Sequence, residues 1–112
     1  MLAFALLLAA SDAPLSLAQA ETLVLAAPNI RASVREAHAK PYFEDVEQGP
    51  AGWRFTVKSR APCATRNPCS TLIGHYAVDA ATGTVVDLDA GEDGLTVSSP
   101  EIARLLAGLR AH

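Results

Sequence analysis

The chain has 112 residues, half of them hydrophobic, and carries 9 basic against 12 acidic side chains for a formal net charge of -3. That length allows one small domain with a modest core and disfavours a multi-step enzyme. The charge balance argues against nucleic acid as a partner, because phosphate binding needs a clear basic excess.

The first twenty residues, MLAFALLLAASDAPLSLAQA, differ from the rest. Leu2 to Ala10 form an unbroken apolar run, the length of a signal-peptide core and too short to span a bilayer. Ser11, Asp12 and Pro14 break the run, and Ala18-Gln19-Ala20 gives a small-x-small cleavage pattern before Glu21. No Lys or Arg precedes the run, and the competing reading is a buried N-terminal helix. The sequence therefore predicts a signal peptide over 1–20, a single domain over 21–112, and export to a bacterial periplasm or beyond. No cysteine near the cleavage point suggests a lipid anchor. The segment carries only Asp12, so the remaining 92 residues hold 11 acidic and 9 basic side chains.

The stretch ETLVLAAP reads equally as a short strand or as a helical extension. From Asn29 to Lys40, Ile30, Val34 and Ala37 recur at helical spacing, with Asn29 as N-cap and Pro41 as the stop. A short acidic edge strand follows near Tyr42 to Glu47, then a turn at Gly49-Pro50-Ala51-Gly52. Trp53, Phe55 and Val57 alternate with Arg54, Thr56 and Lys58, the period of a half-buried strand. STLIGHYAVD and GTVVDLD are two further strands, joined by a type I turn with Gly83 at positive φ. Ser98 or Ser99, then Pro100 and Glu101, open a last helix whose Ile102, Leu105, Leu106 and Leu109 form one apolar stripe. The predicted fold is α+β: a helix, a four-stranded antiparallel sheet, and a C-terminal helix packed on one sheet face over Trp53, Phe55 and Val57.

Cys63 and Cys69 flank a turn-rich loop, APCATRNPCS, in a chain read as exported. A redox pair would be two residues apart with one thiol at a helix start, so a structural disulfide is the reading. Closing so short a loop adds roughly 2 kcal/mol by restricting the unfolded chain. His75 extends the pattern to three residues at two equal steps, but zinc ligands come in closer pairs, and no metal site is assigned. DLDAGEDGL places Asp87 and Asp89 at the first calcium-loop positions, yet Glu92 and Ser98 occupy the required glycine and glutamate places. A solvated acidic turn is the reading there. No catalytic set is found: Ser70, Thr71 and His75 lack a flanked nucleophile and an orienting carboxylate, and Asp79 lies about 13 Å from His75 by strand rise. No cofactor is implied.

The segment Tyr76-Ala77-Val78-Asp79-Ala80-Ala81-Thr82-Gly83-Thr84-Val85, following a helix and a tryptophan-led strand, resembles the Tyr-x-Val-Asp-x-x-Thr-Gly-x-Val hairpin of PepSY-type periplasmic domains. The disulfide loop and the terminal helix depart from that short module. Cystatin-like proteins and small periplasmic immunity proteins are similar helix-over-sheet domains. The resemblance implies binding or inhibition of another protein, a hydrolase or a toxin, without catalysis. Arg66 and Asn67 at the tip of the stapled loop, with His75 on the central strands, are the candidate partner-binding residues. The alternatives are a small-ligand or metal carrier using His75 and the acidic residues, and a structural envelope module.

Overall fold

The structure is a computed structural model in which residues 13–61 and 69–111 are described. Among the described residues, three helices, α1 (Leu17–Leu25), α2 (Pro28–Ala37) and α3 (Pro100–Arg110), accompany five strands. These are β1 (Lys40–Gln48), β2 (Gly52–Ala61), β3 (Cys69–Asp79), β4 (Val85–Asp87) and β5 (Leu95–Thr96). The sheet is an antiparallel meander in chain order. The α+β class stands, with one more strand than the expected four.

Period-two patterning sorts the sheet into two faces. Phe55 and Val57 on β2, Tyr76 and Val78 on β3, and Val85 on β4 are all at most 2% exposed. They share one core with Leu15, Ala20, Leu23, Val24, Ile30 and Ile102. Trp53 packs at the edge of this core, and Phe43 meets Phe55 with ring centroids 5.0 Å apart. The helices therefore cover one face. Two bulges shape the other: one on β1 between Glu44 and Glu47, where Asp45 takes φ 49°, and one on β3, where both Ile73 and Gly74 stand opposite Val57.

Helix α1 answers the open question about ETLVLAAP. It is helical, and it begins upstream of Glu21. Ser16 caps it: the Ser16 hydroxyl accepts from the Gln19 N–H at 3.2 Å, and the Gln19 side chain accepts from the Ser16 N–H at 2.9 Å. Residues on both sides of the Ala20–Glu21 bond thus belong to one helix and one core.

Helix α2 starts two residues earlier than the sequence suggests, with Ala27 rather than Asn29 as N-cap and Pro28 in the first turn. Asn29 is inside the helix and serves instead as the acceptor for Tyr76. Pro41 does not stop α2. His38, in the left-handed region at φ 51°, closes it, and Pro41 lies in β1, where an edge strand tolerates a missing N–H.

Helix α3 has the expected signals: Ser99 caps through its hydroxyl to the Ile102 N–H at 3.1 Å, with Pro100 and Glu101 in the first turn. Its placement differs from the expectation. It packs against α1 and over the β3–β4 turn, where Leu106 abuts Gly83, and its apolar stripe meets the common core there. The predicted disulfide lies outside the described residues at Cys63; the backbone of Cys69 opens β3 opposite Ala61.

Candidate functional site

The face of the sheet turned away from the helices carries the candidate site. Register places Tyr42, Glu44 and Glu47 of β1 beside Lys58, Thr56 and Arg54 of β2. On β3, His75 stands opposite Thr56 and Ala77 opposite Arg54, while the bulge returns Leu72 to this face beside Lys58. Leu72 is 51% exposed, a large apolar side chain left in water. The charges are paired in rows. Lys58 Nζ lies 2.5 Å from Glu44 Oε2, and the Arg60 guanidinium sits 4.9 Å from the centre of the Tyr42 ring. The hydrogen bond and charge of Glu44 raise the Lys58 pKa above its ordinary value.

His75 has a partner that the sequence reading missed. Its backbone N–H donates to Asp89 Oδ2 at 2.9 Å, and its Nδ1 lies 3.0 Å from Asp89 Oδ1. Asp89 is thereby held from both ends, since its own N–H donates to Asp87 Oδ1 at 3.0 Å. Gly74 lies directly beside this contact, where a Cβ would just touch Asp89 Oδ2 at 3.4 Å. The signal was available in the hairpin. Pairs Val78–Val85, Ala77–Val86 and Tyr76–Asp87, counted outward from the turn, bring residues 88 and 89 alongside 75 and 74. The Leu88 N–H donating to the His75 carbonyl at 2.8 Å continues that count.

Asp79, set aside as too distant from His75, does turn chemistry. Its Oδ1 accepts from the N–H groups of Ala81 and Thr82 at 2.9 and 3.0 Å, and Gly83 follows at φ 76°. The acidic stretch 87–93 is likewise more than a solvated turn, because Asp89 ties it to β3.

A shallow hollow of about 430 Å³ opens beside this pair, lined by Asp45, Glu47, Arg54, Thr56, His75 and Asp89 among others. A carboxylate at Nδ1 favours the tautomer that carries its proton on that nitrogen. The arrangement offers hydrogen-bonding and charged groups on an open surface. Among the described residues, no group of three His, Cys, Asp or Glu side chains could hold a metal ion, and no helix is long and apolar enough to cross a membrane. Of the residues singled out in the sequence, His75 is on this face, whereas Cys63, Arg66 and Asn67 lie outside the described residues. Comparison of the chain with protein-family models, with curated proteins and with solved structures found no match.

Proposed function

We propose that this chain is a small exported domain that binds another protein through the open face of its sheet and the adjoining β2–β3 loop. The observation that supports this reading is the asymmetry of the sheet. One face is filled by three helices, while the other presents Tyr42, Arg54, Lys58, Leu72 and His75 to water. Interfaces favour such a mixture of aromatic, arginine and isolated apolar groups on a preformed surface. A disulfide between Cys63 and Cys69 would stiffen the loop carrying Arg66 and Asn67 and so reduce the ordering cost of binding. Inhibition of a hydrolase or toxin is the form of binding that the PepSY-like, cystatin-like and immunity-protein resemblance suggests, and that resemblance rests on the hairpin from Tyr76 to Val85.

The test is affinity capture from cell envelope with the wild-type chain and with an Arg54→Glu, Lys58→Glu variant, followed by titration calorimetry with the captured protein. A single partner whose affinity drops at least tenfold with the variant supports the proposal. Equal affinity would move the interface off this face. Thiol alkylation and mass spectrometry of the exported chain test the disulfide, and two labelled cysteines would remove it.

A second reading, a small-ligand carrier, draws on the hollow beside His75 and Asp89. Its distinguishing outcome is ligand-dependent thermal stabilisation that is lost in Asp89→Ala.

A further inference from the structure

The small-x-small motif at Ala18 and Ala20 marks a bond that the fold cannot spare. Ala20 is fully buried, as are Leu23 and Val24 one turn further along α1, and Leu15 is 5% exposed in the same core. Leu15 is also fixed through its backbone. Its N–H donates to the Ala80 carbonyl at 2.8 Å, and its carbonyl accepts from Trp53 Nε1 at 3.4 Å. These two bonds tie the segment to the start of β2 and to the β3–β4 turn, which are far apart in sequence.

A cut after Ala20 would remove Leu15, Ala20, the Ser16–Gln19 capping box and both anchors together. It would leave Glu21–Leu25, little more than one turn, too short to hold as a helix. It would also place a new terminal ammonium beside a site withdrawn from water, where an unpaired charge is costly. α3, which packs on α1, would lose its support.

We propose that residues from Leu15 onward are retained in the folded protein, and that any removal of the apolar leader cuts before Pro14. The sequence offers small-x-small patterns there as well, at Ala9-Ala10-Ser11 and Ser11-Asp12-Ala13. Pro14 and the Ser16 cap then form the natural boundary: a Pro-containing link followed by a capped helix. On this account the Ala18-x-Ala20 motif is a helix pattern, in which Ala20 is small because it packs in the core and Ala18 faces water.

The test uses the full chain, expressed with its own N-terminus in an exporting bacterial host and recovered by a C-terminal tag. Intact mass should show a chain that begins at or before Pro14. A folded product beginning at Glu21 would overturn the proposal. Retention of Met1 in a cytoplasmic fraction would support the proposal while refuting export, so the two readings fail separately. Two variants sharpen the result. Ala18 is exposed, so Ala18→Arg should leave the fold intact while blocking any cut that needs a small residue at that place. The recovered mass should then change only by the substitution; accumulation of an unprocessed precursor would point back to Ala20. Leu15→Asp should lower the Tm of the recovered protein by roughly 10 °C or more, or abolish recovery of folded chain. An unchanged Tm would mean that Leu15 lies outside the folded unit and would overturn the proposal.

Discussion

Tyr76, with no exposed surface, donates its phenolic hydrogen to Oδ1 of Asn29, a residue 47 positions earlier in the chain. The bond joins the centre of β3 to the first turn of α2 and satisfies the one polar atom of a buried ring. Burial pushes the Tyr76 pKa up to about 12, partly opposed by the Asn29 bond, with smaller upward contributions from Asp87 and Asp89.

That shift has a sign. The folded state holds the phenolic proton more tightly than the unfolded chain, whose tyrosine ionises near 10. The contribution is therefore complete below about pH 10 and is lost as pH rises through about 12, a total of roughly 2–3 kcal/mol. Denaturant melts from pH 8 to 12 should show this decline in the wild type and a shallower one in Tyr76→Phe. At pH 7 the same variant should cost about 1 kcal/mol, because Asn29 is exposed and regains water. Identical alkaline profiles for the two proteins would remove Tyr76 as the source.

Gly52 and Gly108 should respond to alanine with opposite signs. A Cβ on Gly52 would stand 2.0 Å from the Val78 carbonyl oxygen and 2.7 Å from the Ala80 nitrogen, both backbone atoms of the neighbouring strand and turn. Gly52→Ala should therefore cost about 1–3 kcal/mol through forced backbone displacement. Gly108 lies in α3 with nothing within 4 Å of the added carbon, so Gly108→Ala should stabilise by about 0.5–1 kcal/mol through helix propensity. Two thermal melts read both effects.

The His75–Asp89 pair should matter more for local order than for stability. Both side chains are well exposed, at 42% and 51%, so Asp89→Ala should change global stability by less than about 1 kcal/mol. The His75 amide, which donates to Asp89 Oδ2, should lose its protection. Hydrogen exchange at that amide should accelerate at least tenfold, with Phe55 and Val57 amides unaffected. An unchanged His75 rate would mean the carboxylate does not hold the loop after β4.

The legible parts of this chain are those where a local pattern and the tertiary environment agree. Trp53 to Lys58 alternates because one sheet face is covered and the other is wet. The turn at Asp79–Gly83 could be read because its chemistry is contained in five residues: an Asp oxygen for two amides and a glycine at positive φ. The α3 cap was equally local. Illegible features depended on distance. The Ser16–Gln19 capping box lies within a stretch that also fits a leader and its cleavage motif, and its value appears only when Leu15 meets Trp53 and Ala80. Asp89 required the hairpin register to be carried past the end of β4. β5 is two residues, too short for any period to show.

The last prediction concerns the apolar stripe of α3. Ile102 is 6% exposed and belongs to the core, whereas Leu105, Leu106 and Leu109 are only partly buried against it. The stripe therefore grades from core to rim, and the cost of truncation should follow that order. Ile102→Ala should lose about 2–5 kcal/mol, as for a buried aliphatic side chain. Leu106→Ala should lose about 1–2 kcal/mol, since part of that side chain already meets water. Leu106 also touches Gly83, so Leu106→Ala should partly relieve the strain of Gly83→Ala, whose Cβ would otherwise stand 2.5 Å from Leu106 Cδ1. The two substitutions should then be non-additive by about 0.5 kcal/mol or more, with the residual penalty coming from the φ of 76°. Strict additivity in a double-mutant cycle would mean that α3 does not rest on the β3–β4 turn. If Ile102→Ala left the Tm unchanged, the stripe would not be part of the core at all, and an amphipathic helix free of the core would become the stronger candidate for the partner's binding surface.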